Sequence, residues 1–174
     1  RQRVDDWHDA IAARWAATIA ANGPAARVAL MIWGDPSLYD SSLRIAARLP
    51  GTTVEVIPGI TSVQALCAAH ALPLNTLGDP VTITTGRRLR DEGWPGDARR
   101  LVVMLDADCA FRTLPPEGLH IWWAAYAGMP TEIRIEGPLA LAGPRIIAAR
   151  AKARAAHGWI MDIYLLDRSH RAPG

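Results

Sequence analysis

Two stretches of the chain share one grammar, and it constrains the fold more than any other feature. "RVALMIWGDPSLYDSSLRI" and "TVEVIPGITSVQALCAAHA" each run from a short apolar segment, through a Gly/Pro turn, into a helical segment. An apolar run without alternation reads as a strand covered on both faces. Two consecutive strand–turn–helix units predict a parallel sheet with helices packed on it, because a parallel neighbour is reached only by a crossover. Upstream, Val4, Trp7, Ile11, Trp15 and Ile19 recur at three- and four-residue steps, one face of a helix. Asp5 and Asp6 suit its positive end, and Gly23-Pro24 ends it.

Past residue 72 the rhythm changes. "LPLNTLGDP" is a linker by composition, and the boundary falls near residue 78. The expected organisation is a partial parallel α/β domain over 1–78, a mixed-sheet α+β domain over 79–168 and a loose tail at 169–174. In the second domain "VTITT", "LVVML" and "WIMDIYLL" read as strands, and "LHIWWAAY" and "EIRIEG" as an antiparallel hairpin around "AGMPT". The polar stretch 86–100 reads as a long loop, and "RIIAARAKARAAH" as a helix stopped by Gly158. Asp40, Ser41 or Ser42 is expected to cap the helix "LRIAARL".

Composition removes several function classes. A net charge of +2 is too weak to call for nucleic acid or a membrane surface as a partner. Cys67 and Cys109 stand alone without metal-ligand spacing, so no metal site or disulfide framework is expected, and a reducing cytoplasm fits. No apolar run approaches the roughly 20 residues of a membrane span.

In open α/β sheets ligands gather at the carboxyl ends of strands. Gly34-Asp35-Pro36 and Pro58-Gly59-Ile60-Thr61-Ser62 both lie at such ends. Gly34 lacks a β-carbon and admits a ligand close to its backbone; Asp35 can accept from hydroxyls or amides; Thr61 and Ser62 open a helix. Each motif alone is an ordinary turn or cap. Together, on consecutive strand ends, they mark a candidate site.

The blocks "WGDPSLYDSSLRI", "VIPGITSVQALCAAHALPLN", "VTITTGRRL", "VVMLDADCAFRTL" and "GWIMDIYLL" resemble the tetrapyrrole (corrin/porphyrin) methyltransferases along nearly the whole chain. The last three blocks point to the branch that acts in aerobic cobalamin synthesis. The resemblance implies a two-domain fold, a homodimer, and S-adenosylmethionine as cofactor. It implies methylation at C-1 of precorrin-5, a tetrapyrrole, with release of acetate to give precorrin-6A. Such proteins open with a strand and a Gly/Pro-rich loop that residues 1–26 do not match, so the sequence is expected to be N-terminally truncated and the fragment inactive alone.

Carried over residue by residue, the resemblance assigns cofactor contacts to Gly34, Asp35, Leu38, Thr61, Ser62, Leu105, Tyr126 and Leu139. Pro138 stands where relatives have threonine, which removes a backbone donor beside Leu139. Arg87, Arg88 and Arg112 are the candidates for the substrate's carboxylates, since a guanidinium fork suits them, and the 86–100 loop is expected to border the substrate. Methyl transfer needs alignment more than side-chain chemistry, so no catalytic group is required for it. Acetate release needs a proton acceptor; Asp106, Asp108, Tyr39, His70 and His120 are available and none is singled out, with capping the better reading for the aspartates. Trp122 and Trp123 are expected to divide between core and a dimer face. Two other readings stay open. One is the same fold acting on another precorrin, rRNA or a protein histidine derivative. The other is a non-catalytic domain that binds a nucleotide or phosphate at the amides of Thr61 and Ser62.

Overall fold

A computed structural model describes residues 2–23 and 27–168. The expected tail at 169–174 and the helix-stopping Pro24 lie outside the described residues. The chain divides into two compact units, Arg1–Thr61 and Ser62–Gly174. Helix Ser62–Ala69 thus lies with the second unit, upstream of the expected boundary near 78.

The first unit holds α1 (Gln2–Ala21) and a short α2 (Ser42–Ala46). The long helix is where the three- and four-residue steps place it, but Val4 and Trp7 of the expected face are exposed. The buried positions are His8 and Ala12 instead. Helix α2 is tied to α1 by Arg48, which reaches Asp5 and Asp9 at 3.1 and 2.6 Å. Of the three expected caps, Asp40 acts: its Oδ1 accepts from the Ser42 amide at 2.6 Å, while Ser41 makes no side-chain cap bond.

The expected strands at 27–33 and 53–57 do not form. Neither run is paired into a ladder among the described residues, so the parallel sheet predicted for this unit is not formed within it. Non-alternating apolar residues make a strand only when a neighbouring strand takes up the backbone and something covers each face. Here Met31 is 100% exposed and Ile57 84%.

The second unit carries the sheet. Its elements are α3 (Ser62–Ala69), β1 (Val81–Thr85), α4 (Gly86–Glu92), β2 (Arg100–Met104), a 3₁₀ turn (Ala110–Thr113), β3 (His120–Ala125), β4 (Ile133–Pro138), α5 (Leu139–His157) and β5 (Asp162–Asp167). Strand order is β1-β2-β5-β3-β4. Only β1 and β2 pair in parallel; β5 is antiparallel to both β2 and β3, and β3 to β4. The three inner strands are apolar on both faces, whereas edge strand β4 alternates between half-buried and exposed.

One face of the sheet, with Leu101, Val103, Ile121, Trp123, Tyr164 and Leu166, forms the main core with Leu89 of α4, Phe111, and Leu139, Ala142 and Ile146 of α5. Each such aliphatic side chain contributes about 1.5–3 kcal/mol by leaving water. Helix α3 packs on β3 and β5, with Val63 and Leu66 buried. Trp122 and Trp123 point to opposite faces as neighbours in a strand must, and both are buried.

Two elements differ from expectation. The 86–100 stretch is not all loop: α4 forms because Thr85 caps it, its side chain accepting from the Arg88 amide at 3.4 Å, and Leu89 anchors it in the core. Helix α5 starts five or more residues early, at Leu139, with Pro144 inside it. Burial of Leu139, Ala142 and Ile146 outweighs the missing proline donor. Among the described residues no helix is long and apolar enough to cross a membrane.

Candidate functional site

In the first unit the two turn motifs are brought together. Asp35 accepts from the Gly59 amide through Oδ2 at 2.8 Å, and its Oδ1 accepts from the Ser37 amide at 2.8 Å and from the Ser37 hydroxyl. These bonds hold the exposed carboxyl below the usual carboxylate range, the Ser37 hydroxyl contributing most. Asp35 therefore latches one corner to the other. The approach is backbone on backbone. A β-carbon built on Gly59 would overlap the Gly34 carbonyl oxygen, and one on Gly34 would lie 3.7 Å from the Ile60 oxygen and 3.9 Å from Thr61 Cα. Gly34 also has φ +85°, where a side chain is strained. Leu38 follows in the same turn, its amide donating to the Asp35 carbonyl at 3.3 Å, and Tyr39 turns the chain with φ 51°.

In the second unit Ser62 is the first residue of α3. Strands β1, β2 and β3 point the same way, so Gly86, Leu105 and Tyr126 emerge at one end of the sheet, where β5 begins. Leu105 and Tyr126 both adopt left-handed backbone, φ 52° and 51°, which costs a non-glycine residue about 1–3 kcal/mol and persists only where the surroundings over-determine it. Their side chains differ. Leu105 is 64% exposed, while Tyr126 is buried, its hydroxyl donating to the Trp159 carbonyl at 2.6 Å and its amide to the Met161 carbonyl at 2.9 Å. The backbone that follows is also engaged: the Tyr126 carbonyl accepts from the Met129 amide at 2.9 Å, and the Gly128 amide donates to Glu132 at 2.7 Å.

Leu139 is not brought to that end. It follows Pro138, which pairs with His120 at the start of β3, so the length of the strand separates it from Tyr126. At about 3.4 Å per residue that is on the order of 17 Å. Its amide donates to the Leu119 carbonyl at 2.8 Å and its side chain is in the core.

The three arginines also differ. Arg88 is paired with Glu92 of the same helix, 2.7 Å away and exposed. Arg87 and Arg112 are exposed and make no ion pair among the described residues. Of the proton-acceptor candidates, Asp108 pairs with Arg90 at 3.2 Å, and the His70 ring contacts the Trp123 carbonyl at 3.0 Å and Glu136 at 3.3 Å. His120 lies 4.2 Å from the Trp122 ring.

Asp106 is buried and accepts from the Ala110 amide at 2.6 Å, the Asp108 amide at 3.1 Å and the Tyr164 hydroxyl at 2.6 Å. The capping reading holds, with a tyrosine added. Burial, then the nearby Asp106 carboxylate, raises the Tyr164 hydroxyl well above its ordinary value and keeps it a donor. Beside it Arg150 donates to Asp162 at 3.0 Å, to the Ala107 carbonyl at 2.8 Å and to the Asp106 carbonyl at 2.8 Å. Burial pushes the Asp162 carboxyl up; Arg150 and the Trp123 indole, donating at 2.8 Å, pull it back. Burial also pushes the Cys109 thiol up to about 11, which makes it inert. Arg150, Asp162 and Tyr164 were not singled out from the sequence. Arg150 lies in a basic helical run, and only tertiary packing selects one arginine of such a run for burial.

Comparison with known proteins bears on the whole chain. The family model of the Tetrapyrrole (Corrin/Porphyrin) Methylases matches residues 1–142. The precorrin-6A synthase [deacetylating] of Sinorhizobium sp is 48% identical over 171 residues, 95% of this chain and 65% of the relative. The chain thus spans just under two thirds of that relative's length. A crystal structure of a cobalamin synthesis related protein (CobF) from Corynebacterium diphtheriae superposes with a TM-score of 0.87 at 38% identity, over 97% of this chain and 73% of that one. The uroporphyrin-III-C-methyltransferase of Thermus thermophilus, at 24% identity, shares the fold, with a TM-score of 0.63 over 92% of this chain and 71% of that one. On these matches, the chain belongs to the tetrapyrrole (corrin/porphyrin) methylases.

Proposed function

We propose that this chain acts as a precorrin-6A synthase: an S-adenosylmethionine-dependent C-methyltransferase that methylates C-1 of precorrin-5 and releases acetate. The observation that carries the reading is 48% identity over 171 residues with a protein of that name. In the same reading the enzyme is a cytoplasmic homodimer, with a domain boundary near residue 78.

The cofactor, when bound, supplies an activated methyl group on a sulfonium. The residues present fit such a group. It needs close backbone, and within the first unit the Gly34–Asp35 and Gly59–Thr61 corners offer it. In this proposal Asp35 keeps the two corners of the first unit together, and within the second unit exposed Leu105 is the apolar group offered to a ligand. No charged side chain is needed for the transfer, because alignment supplies most of the advantage. Leu38, Thr61 and Ser62 belong to the same set; Leu139, expected in it too, lies in the core at the other end of β3. Arg87 and Arg112 are the arginines available for substrate carboxylates; Arg88 would first have to leave Glu92.

The test is a pair of titrations followed by an assay. S-adenosylhomocysteine should bind and a nucleotide such as ATP should not. With precorrin-5 and S-adenosylmethionine, methyl incorporation and acetate release should appear in equal amounts. Nucleotide binding alone would transfer support to the non-catalytic domain, and methylation without acetate would point to a different precorrin.

A further inference from the structure

We infer that Arg150 is a positioning residue for the strained corner at Leu105, holding that leucine in its ligand-facing conformation from beneath. The inference rests on the cofactor reading above and adds to it a residue and a mechanism. An exposed leucine with φ 52° at a strand end has no local reason to stay there: it is neither glycine nor buried. Something must grip the chain on its far side.

The grip is visible. Of the donors on the Arg150 guanidinium, Nε goes to Asp162, Nη1 to the carbonyl of Ala107, and Nη2 to the carbonyl of Asp106 at 2.8 Å with a longer 3.4 Å contact to Asp162; Asp106 and Ala107 are the two residues that follow Leu105. The Asp106 side chain is held independently, by the Tyr164 hydroxyl from β5 and by the Ala110 and Asp108 amides. Gly86 closes the other side, since a β-carbon there would overlap the Asp106 carboxyl group. Asp106, the residue after Leu105, is therefore fixed through its carbonyl, its side chain and its neighbour, from α5, β5 and the start of α4. Arg150 is largely buried, side chain 12% exposed, and its partner Asp162 is at 6%. A buried ion pair that served stability alone would need only Asp162. Two of the contacts are instead spent on the backbone of the corner, in a fork that only a guanidinium provides.

Lysine separates the two roles. Arg150→Lys keeps a cation beside Asp162 but cannot also reach both carbonyls. The intact chain carrying Arg150→Lys, Arg150→Ala or Tyr164→Phe is compared with the unsubstituted chain by calorimetric titration with S-adenosylhomocysteine, by thermal melting, and by hydrogen exchange at the Asp108 and Ala110 amides. Arg150→Lys should melt near the unsubstituted chain yet bind about tenfold more weakly, the loss expected for a charged donor's bonds to backbone. The Asp108 and Ala110 amides should exchange faster while amides of β2 and β5 stay protected, and Tyr164→Phe should show the same local pattern. Should Arg150→Ala fail to fold, the other two variants carry the test. Lysine binding the probe as tightly as arginine, with both amides still protected, would overturn the inference. Failure of the unsubstituted chain to bind the probe would instead remove the cofactor reading, and the exchange rates would still decide whether Arg150 holds the corner.

Discussion

The two units use similar apolar runs to opposite ends. "LVVML" in the second unit becomes a strand whose Leu101, Val102 and Val103 are entirely hidden. "VALMI" in the first, equally apolar, stays unladdered with Val28, Leu30 and Met31 exposed. Composition does not separate them. What does is whether a strand lies on each side and a helix over each face: β2 has β1 and β5 beside it, while 27–33 has no ladder partner in its unit. Hydrophobicity licenses a strand, and neighbours make it one.

The contrast can be broken by mutation. The largest effect should come from Arg100→Met. Arg100 is buried, donates to Asp167 at 2.8 Å and to the Pro73 and Leu74 carbonyls at 2.9 Å, and its loss leaves a carboxylate of 1% exposure without its counter-charge. Urea unfolding should register a loss of about 3–5 kcal/mol, and replacing Asp167 with leucine as well should restore much of it. Leu166→Ala, in the middle of the sheet, should cost about 3 kcal/mol by the same measurement. If either costs no more than a surface change, the second unit is not the packed half.

Smaller effects probe the first unit. Gly59→Ala puts a β-carbon onto the Gly34 carbonyl and should destabilise the paired corners by about 1–3 kcal/mol, read as weakened S-adenosylhomocysteine binding with the melting of the second unit unchanged. Met31→Ser should change stability by less than about 0.5 kcal/mol, since the side chain is already in solvent; a larger loss would mean the run is covered. The last test is acid. Asp35 titrates below the ordinary value of 3.8 in the folded turn, so its contribution is complete above that value and fades as pH falls below it, through the lowered folded value. NMR shifts of the Ser37 and Gly59 amides should therefore titrate together with a midpoint below 3.8.

Much of this was legible in the residues. The alternation of "EIRIEG" and the Gly-containing connection before it gave the β3–β4 hairpin, and Gly158 gave the end of α5, which it caps with φ 74°. The Gly-Asp-Pro and Pro-Gly-Ile-Thr motifs do meet, although the runs that lead into them form no ladder among the described residues. What could not be read was set by partners far away in sequence. Helix α4 is too short for periodicity to show and depends on Leu89 finding the core. Pro144 hid the first turns of α5 because a single sequence cannot weigh one lost donor against three buried side chains. The burial of Arg150 and the separation of Leu139 from Tyr126 follow from strand directions, which no local pattern encodes.

The position of β5 has a consequence for synthesis. The keystone of the second unit is made late: residues 162–167 lie between β2 and β3, joining partners about 60 and 40 residues earlier. Until they leave the ribosome, the β1–β2 pair and the β3–β4 hairpin are two half-sheets with bare inner edges, exposed to chaperones and to wrong partners alike. A stop codon before residue 162 would therefore cost the unit the middle of its sheet.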